Sequence, residues 1–371
     1  MNTALYLHIP YCKQACSYCD FYFTTHPGRN EAALVQALAS EFRIRHTQFG
    51  HPAVDTLYIG GGTPSLLHPD SLAQLFAALG QAVHPGKLLE CTLEANPDDC
   101  TPERIAAWSA LGISRLSLGI QSFQPQILAW MNRAHTADQA QQALELVAAS
   151  GLAFSVDLIF AVPGRDMARL RQDVELLLAY QPLHISIYGL TVERKTLLHH
   201  WVSTGHTQLD EQQYVAEYTW LHHRLSAAGY VHYELSSYAQ PGQEAVHNAR
   251  YWAQRPYIGL GPSAHGYDGV RRRYENVRSL PRYLEALGRG QLAQTEEELD
   301  DEALFIEQLM TRLRTAGGLP FSIQHHPAWR RVHTARMAAW VDSGLFSVGP
   351  AAWHPTVDAW LILDRLIADL L

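Results

Sequence analysis

Six short runs of apolar and β-branched residues, at positions 4–9, 56–60, 88–95, 116–121, 154–160 and 183–190, predict β-strands. Between them, apolar residues recur at helical spacing and predict helices over 31–49, 71–83, 137–150 and 167–180. Their ends carry the expected punctuation. Thr101-Pro102 reads as an N-cap followed by proline at the first helical position, and Gly151 closes the helix that ends at Ser150. Strict alternation of strand and helix implies a parallel sheet with helices outside, and right-handed crossovers curl six such units into a partial (β/α)6 barrel. Further along come a helix over 211–228, stopped by Gly229, and an extended segment over 230–238. The acidic run 296–301 precedes a helix reaching Arg314, Gly317-Gly318 breaks the pattern, and shorter helices with a turn follow. The expected fold class is α/β, with the barrel over 1–230, a smaller α+β extension over 231–295 and a helical, winged-helix-like C-terminal domain over 296–371.

Polar residues gather where the strands end, the edge on which such folds place function. Gly60-Gly61-Gly62-Thr63-Pro64 follows the second strand, Glu94-Ala95-Asn96-Pro97 the third and Gln121-Ser122-Phe123 the fourth. Asp157 interrupts the otherwise apolar fifth strand, and a buried carboxylate calls for a ligand or a hydrogen-bond partner. The glycine loop lacks the lysine of a phosphate-binding P-loop, but glycines let backbone approach a ligand closely.

Composition narrows the class. The chain has 371 residues, 47% of them apolar, enough for a barrel with an added module. A formal charge of -8 argues against a nucleic-acid footprint, and the run Arg271-Arg272-Arg273 reads as a solvated patch. No apolar stretch is long enough to cross a bilayer and the N-terminus carries no leader, so the expected location is cytoplasmic. Twenty histidines include the doublets His199-His200, His222-His223 and His325-His326, whose neighbours do not share a face and so lack helical metal-site geometry.

Cysteine supplies the candidate chemistry. Cys12, Cys16 and Cys19 form a Cys-x-x-x-Cys-x-x-Cys loop directly after the first strand, and only Cys91 and Cys100 remain. An odd, clustered set with no leader points away from disulfides. Three thiolates on one loop can hold three irons of a [4Fe–4S] cluster and leave the fourth iron for an outside ligand. The weaker alternative is a Cys3His zinc site completed by His8 or His26, although neither spacing resembles a ribbon or finger.

Tyr6-x-His8-x-Pro10-Tyr11-Cys12-x-x-x-Cys16-x-x-Cys19 followed by Gly60-Gly61-Gly62-Thr63-Pro64 resembles the radical S-adenosylmethionine (SAM) superfamily, and within it the coproporphyrinogen III oxidase-like branch. Gly119-Ile120-Gln121-Ser122-Phe123, Asp157-Leu158-Ile159-Phe160 and His247-Asn248-Ala249-Arg250-Tyr251-Trp252 extend the resemblance over almost the whole chain. It implies a [4Fe–4S] cluster on Cys12, Cys16 and Cys19, whose open iron chelates S-adenosylmethionine for reductive cleavage. It further implies that Tyr6 and Tyr18 pack around that cofactor, that Gly61, Gly62 and Thr63 meet its methionine end, and that Glu94, Gln121, Arg133 and Asp157 supply polar contacts.

Within the branch, the oxygen-independent coproporphyrinogen III oxidases carry one more cysteine and a long N-terminal extension. Here Phe21 stands at the position of that cysteine, and five residues precede Tyr6. The pattern His247-Asn248-x-x-Tyr251-Trp252 is similar to that of the heme chaperones called HemW. The resemblance therefore implies heme as cargo, held through His247, Asn248, Tyr251 and Trp252, and an acceptor hemoprotein as partner. His265 and Tyr251 stand as alternative iron ligands to His247. The expectation is a carrier before a porphyrinogen-oxidising enzyme, with radical chemistry, peripheral membrane contact and the choice between monomer and homodimer left open.

Overall fold

The computed structural model describes residues 2–26, 28 and 30–371. Six parallel strands form its centre: β1 (Thr3–Ile9), β2 (Val54–Gly61), β3 (Glu90–Ala95), β4 (Arg115–Gln121), β5 (Ala153–Phe160) and β6 (His184–Gly189), adjacent in chain order. The crossovers are α1 (Glu31–Gln48), α2 (Pro69–Leu79), α3 (Pro102–Ala110), α4 (Pro125–Trp130), α5 (Ala137–Ser150) and α6 (Met167–Ala179). Then come α7 (Leu197–Ser203), α8 (Glu211–Ala227), β7 (Val231–Glu234), β8 (Ser237–Ala239) and α9 (Val246–Trp252). The predicted extended segment over 230–238 is in fact an antiparallel hairpin, β7 and β8, added to the β6 edge.

At the other edge β9 (Tyr257–Leu260) runs parallel to β1, and β10 (His265–Tyr267), β11 (Arg272–Asn276) and β12 (Gln294–Glu298) follow antiparallel, with α10 (Leu280–Gly288) between the last two. The extension is thus continuous with the barrel sheet. β12 is the first half of the acidic run, laid against the arginines: Arg272 faces Glu298 and Arg273 faces Glu297, opposite charges that stabilise a cross-strand pair. Arg271 also pairs with Asp301, and Arg273 with Glu307. The basic run is therefore neutralised within the chain.

Beyond it lie α11 (Asp301–Arg312), α12 (Arg331–Asp342), α13 (Val357–Leu361) and α14 (Leu363–Leu370), with a small sheet of β13 (Leu319–Pro320), β14 (Phe346–Val348) and β15 (Ala352–Pro355). This C-terminal unit covers the exposed β7 edge. Glu234 bridges to Thr315, Leu235 N–H donates to Arg314 O at 2.8 Å, and the Trp360 ring lies 4.4 Å from His232. No helix among the described residues is long and apolar enough to cross a membrane.

The strands follow one parity rule. Leu57, Ile59, Leu93, Leu116, Leu118, Val156, Leu158, Ile185 and Ile187 are buried, on the face that packs against the helices. The alternate positions are polar: Glu90, Thr92 and Glu94; Arg115 and Ser117; Ser155 and Asp157; His184 and Ser186. Register brings these side by side, for Glu94 pairs with Ser117, Ser117 with Ser155, Ser155 with His184, and Asp157 with Ser186. A buried parallel sheet ordinarily reads as a continuous apolar run. Here one face encloses a polar interior, so the strands alternate instead.

Candidate functional site

The open end of the barrel holds a cavity of about 390 Å³, lined from β2 to β6 by Tyr58, Gly61, Glu94, Ser117, Gly119, Gln121, Asp157, Ile159, Tyr188 and Gly189. One concave wall built by five neighbouring strands shows that the sheet curls. The loop after β1 roofs it with Cys12, Cys16, Cys19, Tyr18 and Phe21. Gly62, Thr63, Asn96 and Arg133 complete the ring.

The cysteine loop is pinned from several sides. Cys12 N–H donates to Thr24 O at 3.0 Å, Ser17 N–H to Met131 O at 3.0 Å, and Leu198 N–H to Ser17 O at 2.8 Å. Gln14 and Asn132 exchange side-chain bonds with each other's segments at 2.8 and 2.7 Å. Lys13 reaches both Asp98 and Asp99. Thr63 Oγ1 donates to Cys12 Sγ at 3.6 Å and Arg133 Nη1 to Cys16 Sγ at 3.4 Å. All five cysteines are free thiols. Burial pushes Cys12 up to about 11 and Cys19 up to about 12, so metal binding at these positions must displace protons.

No three His, Cys, Asp or Glu side chains among the described residues converge on a single ion. The zinc alternative through His8 also fails on its partners. Its Nδ1 meets Tyr6 Oη at 3.2 Å, its Nε2 meets Tyr22 O at 2.8 Å, and the ring packs beneath Gly61. His26 is exposed. The three thiols instead face a shared cavity, the arrangement a polynuclear cluster with one open metal requires.

The glycines make this approach possible. A Cβ on Gly62 would stand 2.7 Å from Tyr11 O and 3.0 Å from Cys12 Sγ. Gly61 has φ +114°, a backbone state that side chains rarely adopt. Its N–H donates to Glu94 Oε2 at 3.1 Å, while Tyr58 Oη donates to Glu94 Oε1 at 2.8 Å. Burial pushes the Glu94 carboxyl up to about 7 against those two donors, with Asp157 adding to the rise. Burial likewise raises Asp157 to about 6, opposed by Ser186, Arg133 and Arg115.

Gln121 ends β4 in the left-handed region at φ +65°, a strained state for a residue with a side chain. Its Oε1 is buried without a partner among the described residues, as is Arg133 Nε. Arg133 is not on an exposed helix face. It lies in the loop after α4, where Nη2 binds Gly119 O at 2.7 Å and Asn96 Oδ1 at 2.8 Å. Unspent donors and acceptors beside two raised carboxyls fit a ligand carrying hydroxyls, an ammonium and a carboxylate, the functional groups of S-adenosylmethionine.

Two expected groups lie elsewhere. Tyr6 does not line the cavity. It stacks behind Tyr58 at 6.1 Å between ring centres. His247 is wholly buried, and both ring nitrogens are engaged: Nδ1 with Thr56 Oγ1 at 3.0 Å and Nε2 with Tyr251 Oη at 2.9 Å. Burial drives it down to about 3, so the ring is neutral. In this conformation both His247 ring nitrogens are occupied, so a heme iron would reach one of them only after it exchanged its partner. Asn248 instead lines a second chamber of about 20 Å³, room for about one water, below the main cavity. Trp252 is half-buried at the end of α9. His265, the other alternative, is exposed on β10.

Tyr58, Ser117 and Tyr188 line the cavity and were missed by sequence reasoning, whereas Asn96 lies in the strand-end run already singled out. For the strand residues the signal was present in the alternation Arg115-x-Ser117-x-Gly119 and His184-x-Ser186-x-Tyr188.

A cysteine-roofed cavity at the carboxyl end of a curled parallel sheet defines the class, a radical SAM protein. A model described as the radical SAM superfamily matches residues 6–177. The chain is 36% identical over 324 residues to a protein of Mycobacterium tuberculosis named heme chaperone HemW, covering 86% of this chain and 83% of that one. It is 34% identical over 326 residues to the protein of the same name from Lactococcus lactis, with 86% and 83% covered. The solved coproporphyrinogen III oxidase HemN of Escherichia coli shares the fold, with a TM-score of 0.82 at 18% identity, covering 100% of this chain and 89% of that one. The chain belongs to the HemW family of the radical SAM superfamily. Cys12, Cys16 and Cys19 are the residues that would hold its [4Fe–4S] cluster, which would offer S-adenosylmethionine the one iron left without a thiolate.

Proposed function

We propose that this protein is a cytoplasmic heme chaperone, which takes up heme and passes it to an acceptor hemoprotein, on a scaffold holding the cluster and S-adenosylmethionine. The observation that carries the proposal is the reach of the similarity. Identity of 36% to a HemW protein runs over 324 residues, well past the barrel segment at 6–177 that radical SAM proteins share. The similarity therefore continues beyond the segment that radical SAM proteins share. Supporting it, Phe21 stands 66% exposed on the cavity lining, to which Phe23 also contributes, an apolar margin suited to a porphyrin face. In this proposal the SAM contacts come from Tyr18, Gly61, Gly62, Thr63, Glu94, Gln121, Arg133 and Asp157, with Tyr6 acting behind Tyr58.

The test is anaerobic reconstitution followed by parallel assays. Heme titration and transfer to an apo-hemoprotein are expected to succeed, while coproporphyrinogen III stays unchanged under reduction. Oxidation of the porphyrinogen with no heme transfer would overturn the proposal in favour of the oxidase. Among the iron-ligand candidates only His265 is exposed, so His265→Ala is expected to weaken heme binding and change its absorption spectrum. Unchanged binding and spectrum would remove His265 from the site.

A further inference from the structure

The helix α9 carries a motif that the cavity does not use directly, yet it is tied to the cavity wall. Two of its first N–H groups are held by one carboxylate on the barrel's inner face: Val246 N donates to Glu90 Oε2 at 2.8 Å and His247 N to Glu90 Oε1 at 3.2 Å. Arg250 pairs with Asp55, at the start of β2. The helix therefore plugs the end of the barrel opposite the cysteine loop.

From that plug one side chain reaches up the inner face of β2. His247 Nδ1 contacts Thr56, and its ring rests at 5.2 Å and 33° against Tyr58, the next residue on the same face. Tyr251 Oη holds the other nitrogen, so the imidazole has one orientation. Tyr6 also stacks on the Tyr58 ring, at 6.1 Å between ring centres. Both rings pack against Tyr58, whose hydroxyl is, with Gly61 N–H, one of the two donors that hold Glu94. Asn248, the next residue of the motif, lines the small chamber under Tyr58 and Asp157.

We propose that His247 is a positioning residue for the S-adenosylmethionine cavity, setting Tyr58 and through it the Glu94 carboxylate. The inference rests on the cofactor part of the proposed function and is independent of heme transfer. A carboxylate fixed before the ligand arrives loses less freedom on binding, which is how a residue outside the cavity changes affinity inside it.

The experiment is calorimetric titration of S-adenosylmethionine into anaerobically reconstituted protein, with iron and sulfide measured on every sample. His247→Ala and Tyr58→Phe are each expected to weaken binding roughly tenfold at unchanged cluster content, the scale of one hydrogen bond to a carboxylate. Their double variant should lose little more than either alone, because both changes cut one connection. Should His247→Ala fail to fold, Tyr251→Phe, which deletes one hydroxyl, is expected to weaken S-adenosylmethionine binding roughly threefold. Affinity within about twofold of wild type in every foldable variant, or additive losses in the double variant, would overturn the inference. Wild-type protein that takes up no S-adenosylmethionine would overturn the cofactor assignment and this inference together. A failure of heme transfer alone would leave the inference standing.

Discussion

Replacing Lys13 with methionine tests whether the cysteine loop is held in shape by charge. Its Nζ stands 2.5 Å from Asp98 Oδ2 and 2.6 Å from Asp99 Oδ1, and the carboxylates are only 8% and 4% exposed. Each charge-assisted bond of this kind contributes about 1.5–3 kcal/mol, and stranding a wholly buried partner costs about 3–5 kcal/mol. Two facts reduce the sum. Lys13 is 37% exposed and so screened by water, and Asp99 keeps Ser65 at 2.7 Å and Arg104 at 4.0 Å. The expected net loss is about 2 kcal/mol, roughly a thirtyfold shift between the docked and undocked loop. The assay is thermal unfolding followed by circular dichroism, with iron uptake measured under limiting iron. Lys13→Met should melt earlier and bind less iron, and adding Asp98→Asn should restore part of both by removing a stranded charge. Wild-type melting with full iron uptake, or no recovery in the double variant, would refute the reasoning.

Three further outcomes follow from the same geometry. Glu94 titrates near 7 in the folded chain against about 4.5 unfolded, so the folded state holds the extra proton. Its stability contribution is present below the unfolded value and is lost as pH rises through 7, by about 3 kcal/mol at most; Glu94→Gln should flatten the fall in melting temperature over that window, and an unchanged slope would count against it. Gly62→Ala pushes a methyl against Tyr11 O and Cys12 Sγ and is expected to destabilise the chain by about 1–3 kcal/mol and lower iron uptake, seen in denaturant midpoint and metal analysis. Arg133→Met leaves Gly119 O and Asn96 Oδ1 without their donor, so calorimetry should show weaker S-adenosylmethionine binding together with a loss of about 2 kcal/mol in stability.

What could be read directly from the chain was whatever depends on neighbours in sequence. All six barrel strands fall within two residues of their predicted bounds, since each is a short segment with apolar or β-branched residues recurring at strand spacing and with turn-forming or polar residues around it. The helix α5 matches at both ends because Thr136 and Gln139 cap it reciprocally and Gly151 ends it. α2 stops at Leu79, short of the predicted 83, where Gly80 takes φ +62° while the apolar pattern runs on. The three cysteines needed no fold to be recognised, for their spacing on one loop is itself the chemistry.

Tertiary structure decided whatever depends on partners distant in the chain. Nothing near residue 296 announces that an acidic run will become β12, because the arginines that neutralise it stand in β11 on the far side of a helix. The inner-face alternation was present in the strands, but only register turned scattered polar residues into one wall with Glu94, Ser117 and Asp157 converging. His247 is the clearest case. As a sequence symbol it is an imidazole available to iron, and as a packed group it is a neutral ring held by Thr56, 191 residues away, and by Tyr251. Local pattern determines which segments form because backbone preference and periodicity act over a few residues. Whether a polar atom is free for chemistry is settled only when the folded chain has supplied, or withheld, its hydrogen-bond partner.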